Sequence, residues 1–141
     1  MNADRVNPII IESCAIDVHE GNTILRGVIA IESLHDLQVD DYQREELTAK
    51  QRESIEVALT KGEPLPDLEL GMRGEHFREV KPGRVHLRDA TYIIDGLQRR
   101  QTVLRFLSGN PTASIRLGVK VYINTTKLWE KERFHVLNAK R

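Results

Sequence analysis

Residues 90–107 read ATYIIDGLQRRQTVLRFL, in which a short apolar run meets Asp-Gly and the hydrophobic period then changes. The run before Asp95 is β-branched and short, as expected of a buried strand. After Gly96 the apolar residues recur at the spacing of an amphipathic helix. They are Leu97, Val103, Leu104 and Leu107. The segment therefore predicts a strand, a sharp turn and a helix in immediate succession.

This predicted turn gathers polar groups at a helix N-terminus, where free backbone N–H groups and the helix dipole favour an anion, most often phosphate. Gly96 permits positive φ and lets a ligand approach the main chain closely. Arg99 and Arg100 fall in the first helical turn, where the dipole disfavours cations, so the two arginines suggest an anion that they meet. A structural alternative is that Asp95 caps the helix, with Gln98 completing a capping box.

The composition is that of an ordinary globular domain. With 141 residues, of which 40% are hydrophobic and 30% charged, the chain suits one domain spanning residues 1–141. A single cysteine, Cys14, and five histidines without ligand spacing argue against a disulfide framework and against a zinc site. No basic region precedes an apolar run at the N-terminus, and no apolar run approaches the about 18 residues of a spanning helix. We therefore expect no membrane association and a cytoplasmic location.

The net charge is zero, but the charges are unevenly distributed. Residues 32–69 carry eleven acidic and four basic side chains, whereas residues 73–120 carry ten basic and four acidic ones. The basic half contains the Asp95-Gly96 turn, which fits a phosphate ligand or a DNA partner. A solvated basic surface balanced by an acidic helix would account for the same distribution. Aromatic residues make up only 5%, so no stacking platform for single strands is evident, and Trp129 is expected in the core.

Strand and helix signals can be placed along the rest of the chain. Strand patterns at residues 9–18 and 23–31 flank turn residues at 19–22 and predict a hairpin with a four-residue loop. Pro82 followed by Gly83 predicts a type II turn in a second hairpin. The other predicted elements are a capping box from Thr48 to Gln51 that opens a helix ending near Lys61, strands at 67–72 and 115–123, and a helix from about Lys127.

Four features follow one another along the chain: Tyr-Gln-Arg at residues 42–44, a helix followed by Pro64-Leu-Pro66, Ile-Asp-Gly-Leu-Gln-Arg at residues 94–99, and Phe134 four residues before Asn138. In this order they resemble the ParB/sulfiredoxin-like superfamily, in the branch with an Asp-Gly-Gln-(Gln or His)-Arg signature. The resemblance covers roughly residues 28–138. By spacing alone, residues 42–44 are a loop in which Tyr42 packs at an edge and Arg44 pairs with a neighbouring carboxylate.

The family pattern transfers to this chain residue by residue. The matching positions are Tyr42, Gln43, Arg44, Asp95, Gly96, Gln98, Arg99 and Asn138. Leu97 departs from the signature, which has a glutamine there. Either a ligand-facing amide is missing or Leu97 has turned inward to pack, and the departure weakens the case for hydrolysis more than the case for binding.

The resemblance implies an α+β fold in which helices flank a small mixed β-sheet and a nucleotide pocket. Relatives bind nucleoside triphosphates, some hydrolyse them to gate a partner domain that cuts or clamps DNA, and others are described as nucleases. The expected setting is a DNA-directed restriction, defence or mobile-element system, with an effector region beyond Arg141 or on a separate subunit.

The resemblance also implies roles for individual residues. Asp95 would hold Mg²⁺ that accompanies the triphosphate, and Gln98 would orient a water or a phosphate, so these two are the catalytic candidates. Arg44 and Arg99 would bind phosphate oxygens with bidentate geometry. The remaining nucleotide-binding candidates are Tyr42, Gln43, Gly96, Arg100 and Asn138.

The sequence is also compatible with two other functions. A non-catalytic DNA-binding or regulatory module would contact backbone phosphates through Arg73, Arg78, Lys81, Arg84 and Arg88. A nuclease acting through Asp95 would need a second carboxylate, for which Asp40 and Asp41 are the candidates. Sulfiredoxin-type chemistry is disfavoured, because no cysteine lies beside the central turn.

Overall fold

The computed structural model describes residues 7–43 and 49–139. Within these ranges the chain forms seven strands, three α-helices and a short 3-10 helix at Ile31–Asp36. The strands are β1 (Ile9–His19), β2 (Asn22–Ile29), β3 (Leu68–Met72), β4 (Phe77–Lys81), β5 (Arg84–Leu87), β6 (Thr91–Asp95) and β7 (Gly118–Ile123). The α-helices are α1 (Ala49–Lys61), α2 (Leu97–Gly109) and α3 (Lys127–Ala139). None of the helices found in these ranges is long and apolar enough to cross a lipid bilayer.

All seven strands belong to one sheet, in the order β4-β5-β1-β2-β7-β3-β6. Neighbouring strands run antiparallel, except β3 and β7, which run parallel. The expected α+β architecture, a mixed sheet flanked by helices, is thereby confirmed. β6 lies at one edge of the sheet, where a short bridge from Gln38 to Tyr92 covers part of its open side.

The two faces of β6 determine where the neighbouring helices lie. Because side chains alternate between the faces of a strand, Ile93 joins the main core while Ile94 lies in a second cluster. Leu97 of α2 packs in the main core, as its helical spacing predicted. On the other face, Ile94 packs with Tyr42 and with Phe134 of α3. The strand that leads into the Asp95-Gly96 turn is therefore held between α2 and α3.

The β1–β2 hairpin is confirmed, but its expected four-residue loop is wrong. His19 pairs directly with Asn22, which leaves Glu20 and Gly21 as a two-residue loop. Both loop residues have positive φ, 51° and 80°. This matches a type I′ turn, whose twist suits the right-handed twist of paired strands. Hydrogen bonding therefore continues one residue further on each strand than the alternation of side chains indicated.

The turn at Gly83 and the end of the first helix near Lys61 are both confirmed. Gly83 has φ of 78° between β4 and β5, as the third position of a type II turn requires. Gly62 has φ of 70° directly after α1, and the N–H groups of Gly62 and Glu63 donate to carbonyls of the last helical turn. The capping box expected at Thr48 lies outside the described residues.

The core assignment of Trp129 is wrong. Its side chain is 40% exposed, and its ring lies 4.8 Å from the ring of Tyr122, measured between centroids. The reason is the orientation of α3, which buries Glu130 and Phe134 and leaves Trp129 on its flank. Cys14 is half-buried against the main core, and this burial raises the pKa of its thiol.

Candidate functional site: the cleft over the β6–α2 turn

The chain leaves β6 at Asp95 and enters α2 at Leu97, with Gly96 alone between them. Gly96 has φ of 104° and ψ of 18°, in the left-handed region that favours glycine. The N–H of Arg100 donates to the Gly96 carbonyl at 2.9 Å. The N–H groups of residues 97–99 precede this first bond of the helical ladder. They form the N-terminal end of α2 that the sequence predicted.

The structural alternative of a capping box formed by Asp95 and Gln98 is excluded by the geometry of the turn. The N-cap is Gly96, and no side chain among the described residues caps the helix. Asp95 stays in the strand, opposite Glu69 of β3. Because the strand continues through Asp95, the cap falls one residue later, and the residue three positions after it is Arg99.

A cleft of about 500 Å³ opens over this turn. It is bordered by the turn itself, by the loop and helix that precede β3, and by the C-terminal part of α3. The lining residues are Gln43, Gln51, Asp95, Gly96, Leu97, Gln98, Phe134, His135, Asn138 and Ala139. Five of the residues expected at a nucleotide site therefore meet here, although they come from three distant parts of the chain: Gln43, Asp95, Gly96, Gln98 and Asn138.

Two amide side chains of the cleft are held by backbone carbonyls. Gln43 Nε2 donates to the carbonyls of Ile93 and Ile94, at 2.6 and 2.8 Å, near the end of β6. Asn138 Nδ2 donates to the carbonyl of Phe134 at 2.8 Å. Since each nitrogen binds the main chain, each amide also presents a carbonyl oxygen, which can accept from a ligand or a hydrated cation.

Arg99 lies beside the turn and is not part of the cleft lining. Its Nη2 donates to the Asp67 carbonyl at 3.0 Å and contacts the Asp95 carboxylate at 3.4 Å. The guanidinium would lie 2.9 Å from a Cβ built at Gly96, so it packs against the turn. Its Nε is buried and has no hydrogen-bond partner among the described residues. Arg99 therefore holds the carboxylate of Asp95 from the side of the turn.

Arg100 binds the 3-10 helix and does not line the cleft. Its Nη1 donates to the Leu34 carbonyl at 2.9 Å, and burial lowers the pKa of its guanidinium. Both arginines of the first turn of α2 thus have acceptors within the protein. Their position is explained without a bound anion, so they no longer argue for one by themselves.

Tyr42 takes part in a buried polar network in addition to packing against Phe134. Its hydroxyl donates to Glu130 Oε1 at 2.8 Å, and Glu130 is fully buried. The same carboxylate accepts from Arg73 at 2.8 and 3.0 Å and from Thr125 at 2.7 Å. Burial and the bond to Glu130 raise the pKa of the Tyr42 hydroxyl. Glu130 was not predicted from the sequence, in which its only signal is its spacing of four residues from Phe134.

Arg73 extends this network to the loop that precedes the cleft. Its Nη2 donates to Asp40 at 2.7 Å, and the guanidinium lowers the pKa of Asp40 from 3.8 to about 2. Lys127 contacts the carboxylates of Asp40 and Asp41 at 3.4 and 3.1 Å. Arg73, expected among the DNA-contacting residues, is therefore engaged inside the protein. The carboxylate of Asp40 binds Arg73 and Lys127. It is therefore engaged elsewhere and does not serve as the second carboxylate that a nuclease acting through Asp95 would need.

No three carboxylate, histidine or cysteine side chains in the described ranges are placed to hold one metal ion. Glu69 faces Asp95 on the next strand, but its carboxylate is bound by Arg133 at 3.0 and 3.1 Å and by the Tyr122 hydroxyl at 2.9 Å. A single carboxylate suits Mg²⁺, which retains water ligands and shares the phosphate oxygens of a nucleotide. Arg44, the remaining phosphate-binding candidate, lies outside the described residues.

Comparison with known protein families, curated proteins and solved structures finds no match to this chain. The chemistry available in the cleft is that of its own groups. It combines the N–H groups of a helix end with amides, one carboxylate and the ring of Phe134. Such a site can bind an anionic group at the turn and a flat ring beside Phe134.

Proposed function

We propose that this chain is a cytoplasmic, ParB-like domain that binds the phosphates of a nucleoside triphosphate, together with Mg²⁺, in the cleft over the β6–α2 turn. The observation that carries the proposal is the left-handed Gly96, which places the first turn of α2 at a cleft of about 500 Å³. Backbone N–H groups at a helix end favour phosphate. The volume of the cleft lies within the usual range of small-ligand sites.

The proposed phosphate-binding groups divide by their chemistry. The N–H groups of residues 97–99 bind phosphate oxygens, and Arg44, the next residue after Gln43 in the sequence, adds a positive charge. Asp95, held by Arg99, binds Mg²⁺ directly or through water. Gln98 orients a water or a phosphate. Catalysis of triphosphate hydrolysis at this site would consist of positioning and charge neutralisation.

The rest of the cleft suits the nucleoside. Phe134 offers a ring and Asn138 an amide at the C-terminal end of α3. Leu97 is 3% exposed and packs in the main core. This burial supports the interpretation that Leu97, at the position where the family signature has a glutamine, packs inward and does not contact the ligand.

We further propose that the domain belongs to a DNA-directed defence or mobile-element system, in which nucleotide binding controls an effector region or subunit. The support is the ordered set of residues that resembles the ParB/sulfiredoxin-like superfamily, five of which line one cleft. Release of phosphate from a triphosphate, and cleavage of DNA, are the two activities to assay once a ligand has been identified.

Thermal unfolding with ATP, GTP or CTP, each with and without Mg²⁺, tests the proposed site. A ligand at about 100 times its Kd stabilises the folded state by about 2.7 kcal/mol, which raises Tm by several degrees. Gln98→Ala should reduce this shift, because the Gln98 side chain lines the cleft. Gln101→Ala is the matched control, since Gln101 is exposed on the same helix outside the cleft, and it should retain the shift.

The variant Asp95→Asn distinguishes the contribution of the metal ion from that of the phosphate groups. It should remove the part of the Tm shift that depends on Mg²⁺ and leave the part that does not. Arg44→Ala should weaken the shift under both conditions. Failure of all three triphosphates to stabilise the protein, or equal shifts in Gln98→Ala and Gln101→Ala, would contradict the proposal.

A further inference from the structure

A second groove lies at the end of α3 opposite the cleft. It encloses about 280 Å³ beside the first turn of α3, whereas the cleft adjoins the last turn. Trp129 stands at this groove with 40% of its surface exposed, and its ring contacts that of Tyr122. Tryptophan and tyrosine contribute large contact areas and are enriched at binding surfaces. The exposed aromatic pair is therefore a candidate contact for a ligand.

Apart from Ile24 and Ile123, the other side chains of the groove are polar and uncharged. They include Asn22 and Thr23 at the start of β2, and Asn124 and Thr126 before α3. Amides and hydroxyls both donate and accept hydrogen bonds. This combination suits a flat ring with a hydrogen-bonding edge, because aromatic side chains stack on nucleobase faces while polar groups bind the base edges.

Two cations lie next to the groove and directly opposite each other. On the β3 side, Lys120 of β7 is in register with Glu69, whose carboxylate is bound by Arg133. On the β2 side, Lys120 pairs in register with Arg26. Like charges in this arrangement repel. Arg26 has an exposed contact with Asp17 at 3.9 Å, and none of the ion pairs formed by the described residues involves Lys120. An anion bound between the two side chains would relieve their repulsion.

The cations and the aromatic pair share one face of the sheet. Tyr122 and Ile24, which line the groove, pair with each other two residues along from Lys120 and Arg26. A strand rises about 3.3 Å per residue, so the Cα atoms of Lys120 and Arg26 lie about 7 Å along their strands from those of Tyr122 and Ile24. The Lys120 ammonium reaches toward this ring, to 5.0 Å from its centroid. A single nucleotide spans a comparable distance between its base and its phosphate.

From this juxtaposition we propose that the face binds single-stranded nucleic acid, with a base stacked on Trp129 and adjoining phosphates at Lys120 and Arg26. The bases of a duplex are already stacked on one another, so a duplex offers the cations phosphate but offers Trp129 no base. The surface is separate from the cleft, and the inference does not depend on triphosphate binding there.

Trp129 is the only tryptophan of the chain, so its fluorescence reports directly on this groove. We expect an oligothymidylate or oligouridylate of about 12 nucleotides to quench this fluorescence in low salt, since single-strand sites span about 4–16 nucleotides. A duplex of the same length should quench it much less. Tighter binding of the oligothymidylate would indicate a DNA ligand, and tighter binding of the oligouridylate would indicate an RNA ligand.

Variants test the two halves of the site separately, with the anisotropy of a labelled strand as readout. Trp129→Ala should weaken binding roughly 5- to 100-fold through loss of stacking, and Trp129→Phe should weaken it less. Arg26→Gln with Lys120→Gln should weaken binding and reduce the slope of log affinity against log salt by about 1.4, the value for two phosphate contacts on a single strand. The matched control, Lys61→Gln with Arg105→Gln, removes two exposed cations from α1 and α2 and should leave affinity and slope unchanged.

Three results would overturn the inference: no quenching by either single strand, equal quenching by the duplex, or an unchanged salt slope when Arg26 and Lys120 are neutralised. Thermal unfolding of each variant without ligand establishes that its fold is intact. Loss of strand binding in Trp129→Ala, with any triphosphate-dependent Tm shift retained, would separate this surface from the cleft.

Discussion

At the scale of single residues, Glu130 stands out because its carboxylate is fully buried and must be compensated by partners inside the protein. A buried charge is unfavourable by several kcal/mol unless it is paired and hydrogen-bonded. Arg73, Tyr42 and Thr125 together donate four hydrogen bonds to its two oxygens. Gly71 makes room for this arrangement, since a Cβ there would lie 2.7 Å from Thr125 Oγ1 and 3.1 Å from Glu130 Cγ.

Glu130→Ala should destabilise the protein by about 3–5 kcal/mol, because it leaves the guanidinium of Arg73 without its main partner. Urea unfolding at neutral pH measures the change. Glu132→Ala, at an exposed position on the same helix, should alter stability by less than about 0.5 kcal/mol. If the two variants unfold at the same urea concentration, the network does not hold α3 on the sheet.

At the scale of secondary-structure elements, the junction between β6 and α2 depends on one glycine. Gly96 is left-handed, and a Cβ added there would collide with the side chain of Leu68. Any other residue would thus meet both backbone strain and a clash with the core. The same junction borders the cleft, so the geometry of the helix end and of the candidate site are set together.

Gly96→Ala should destabilise the protein by about 1–3 kcal/mol, the usual range for a residue forced into a sparsely populated backbone region. Gly109→Ala is the matched control at the other end of α2. Position 109 has no positive φ and open space around it, so alanine should be neutral or stabilise by about 0.4–1 kcal/mol. Urea midpoints of the two variants test this, and equal midpoints would show that the conformation of Gly96 carries no strain for alanine.

At the scale of the whole molecule, the polar network links parts that are far apart in the chain. Asp40 precedes the cleft residue Gln43 in the sequence, Arg73 follows β3, and Glu130 belongs to α3. The first turn of α3 adjoins the groove at Trp129, and its last turn adjoins the cleft. The network therefore fixes the helix that contributes to both candidate sites.

Acid should weaken the folded state through Asp40. The folded pKa of about 2 lies below the usual 3.8, so the stabilisation is complete above pH 3.8 and is lost as the pH falls toward about 2. The unfolded chain takes up this proton first, which is why stability falls with pH in that window. Asp40→Asn should flatten the dependence of urea-unfolding stability on pH there, whereas Asp41→Asn, which does not contact Arg73, should keep it. Parallel profiles for the wild type and Asp40→Asn would contradict this role.

Much of the element pattern could be predicted because its signals are local. Gly62 and Gly83 occupy the left-handed positions that their turns require, and the apolar spacing after Gly96 placed Leu97 in the core. The cleft was harder to predict, since Gln43 and Asn138 reach Gln98 from distant segments. Their convergence was expected from the resemblance and could not have been read from periodicity.

The partners of the charged and aromatic side chains could not be predicted from local sequence signals. Arg99 and Arg100 were expected to meet a ligand, yet they bind carbonyls at Asp67 and Leu34. Trp129 was expected in the core and lies at an open groove. Each outcome depends on which strands and helices become neighbours.

By itself, the sequence determined the strand-turn-helix around Asp95-Gly96, the hairpins and the apolar faces of the helices. Only the tertiary structure decided that Glu130 is buried, which cations are neutralised inside the protein, and that Lys120 faces Arg26. The physical reason is range. Backbone conformation and periodicity act over a few residues, whereas the bond from Tyr42 to Glu130 spans 88 residues of sequence. A charged group finds its partner only after the chain has brought such distant segments together.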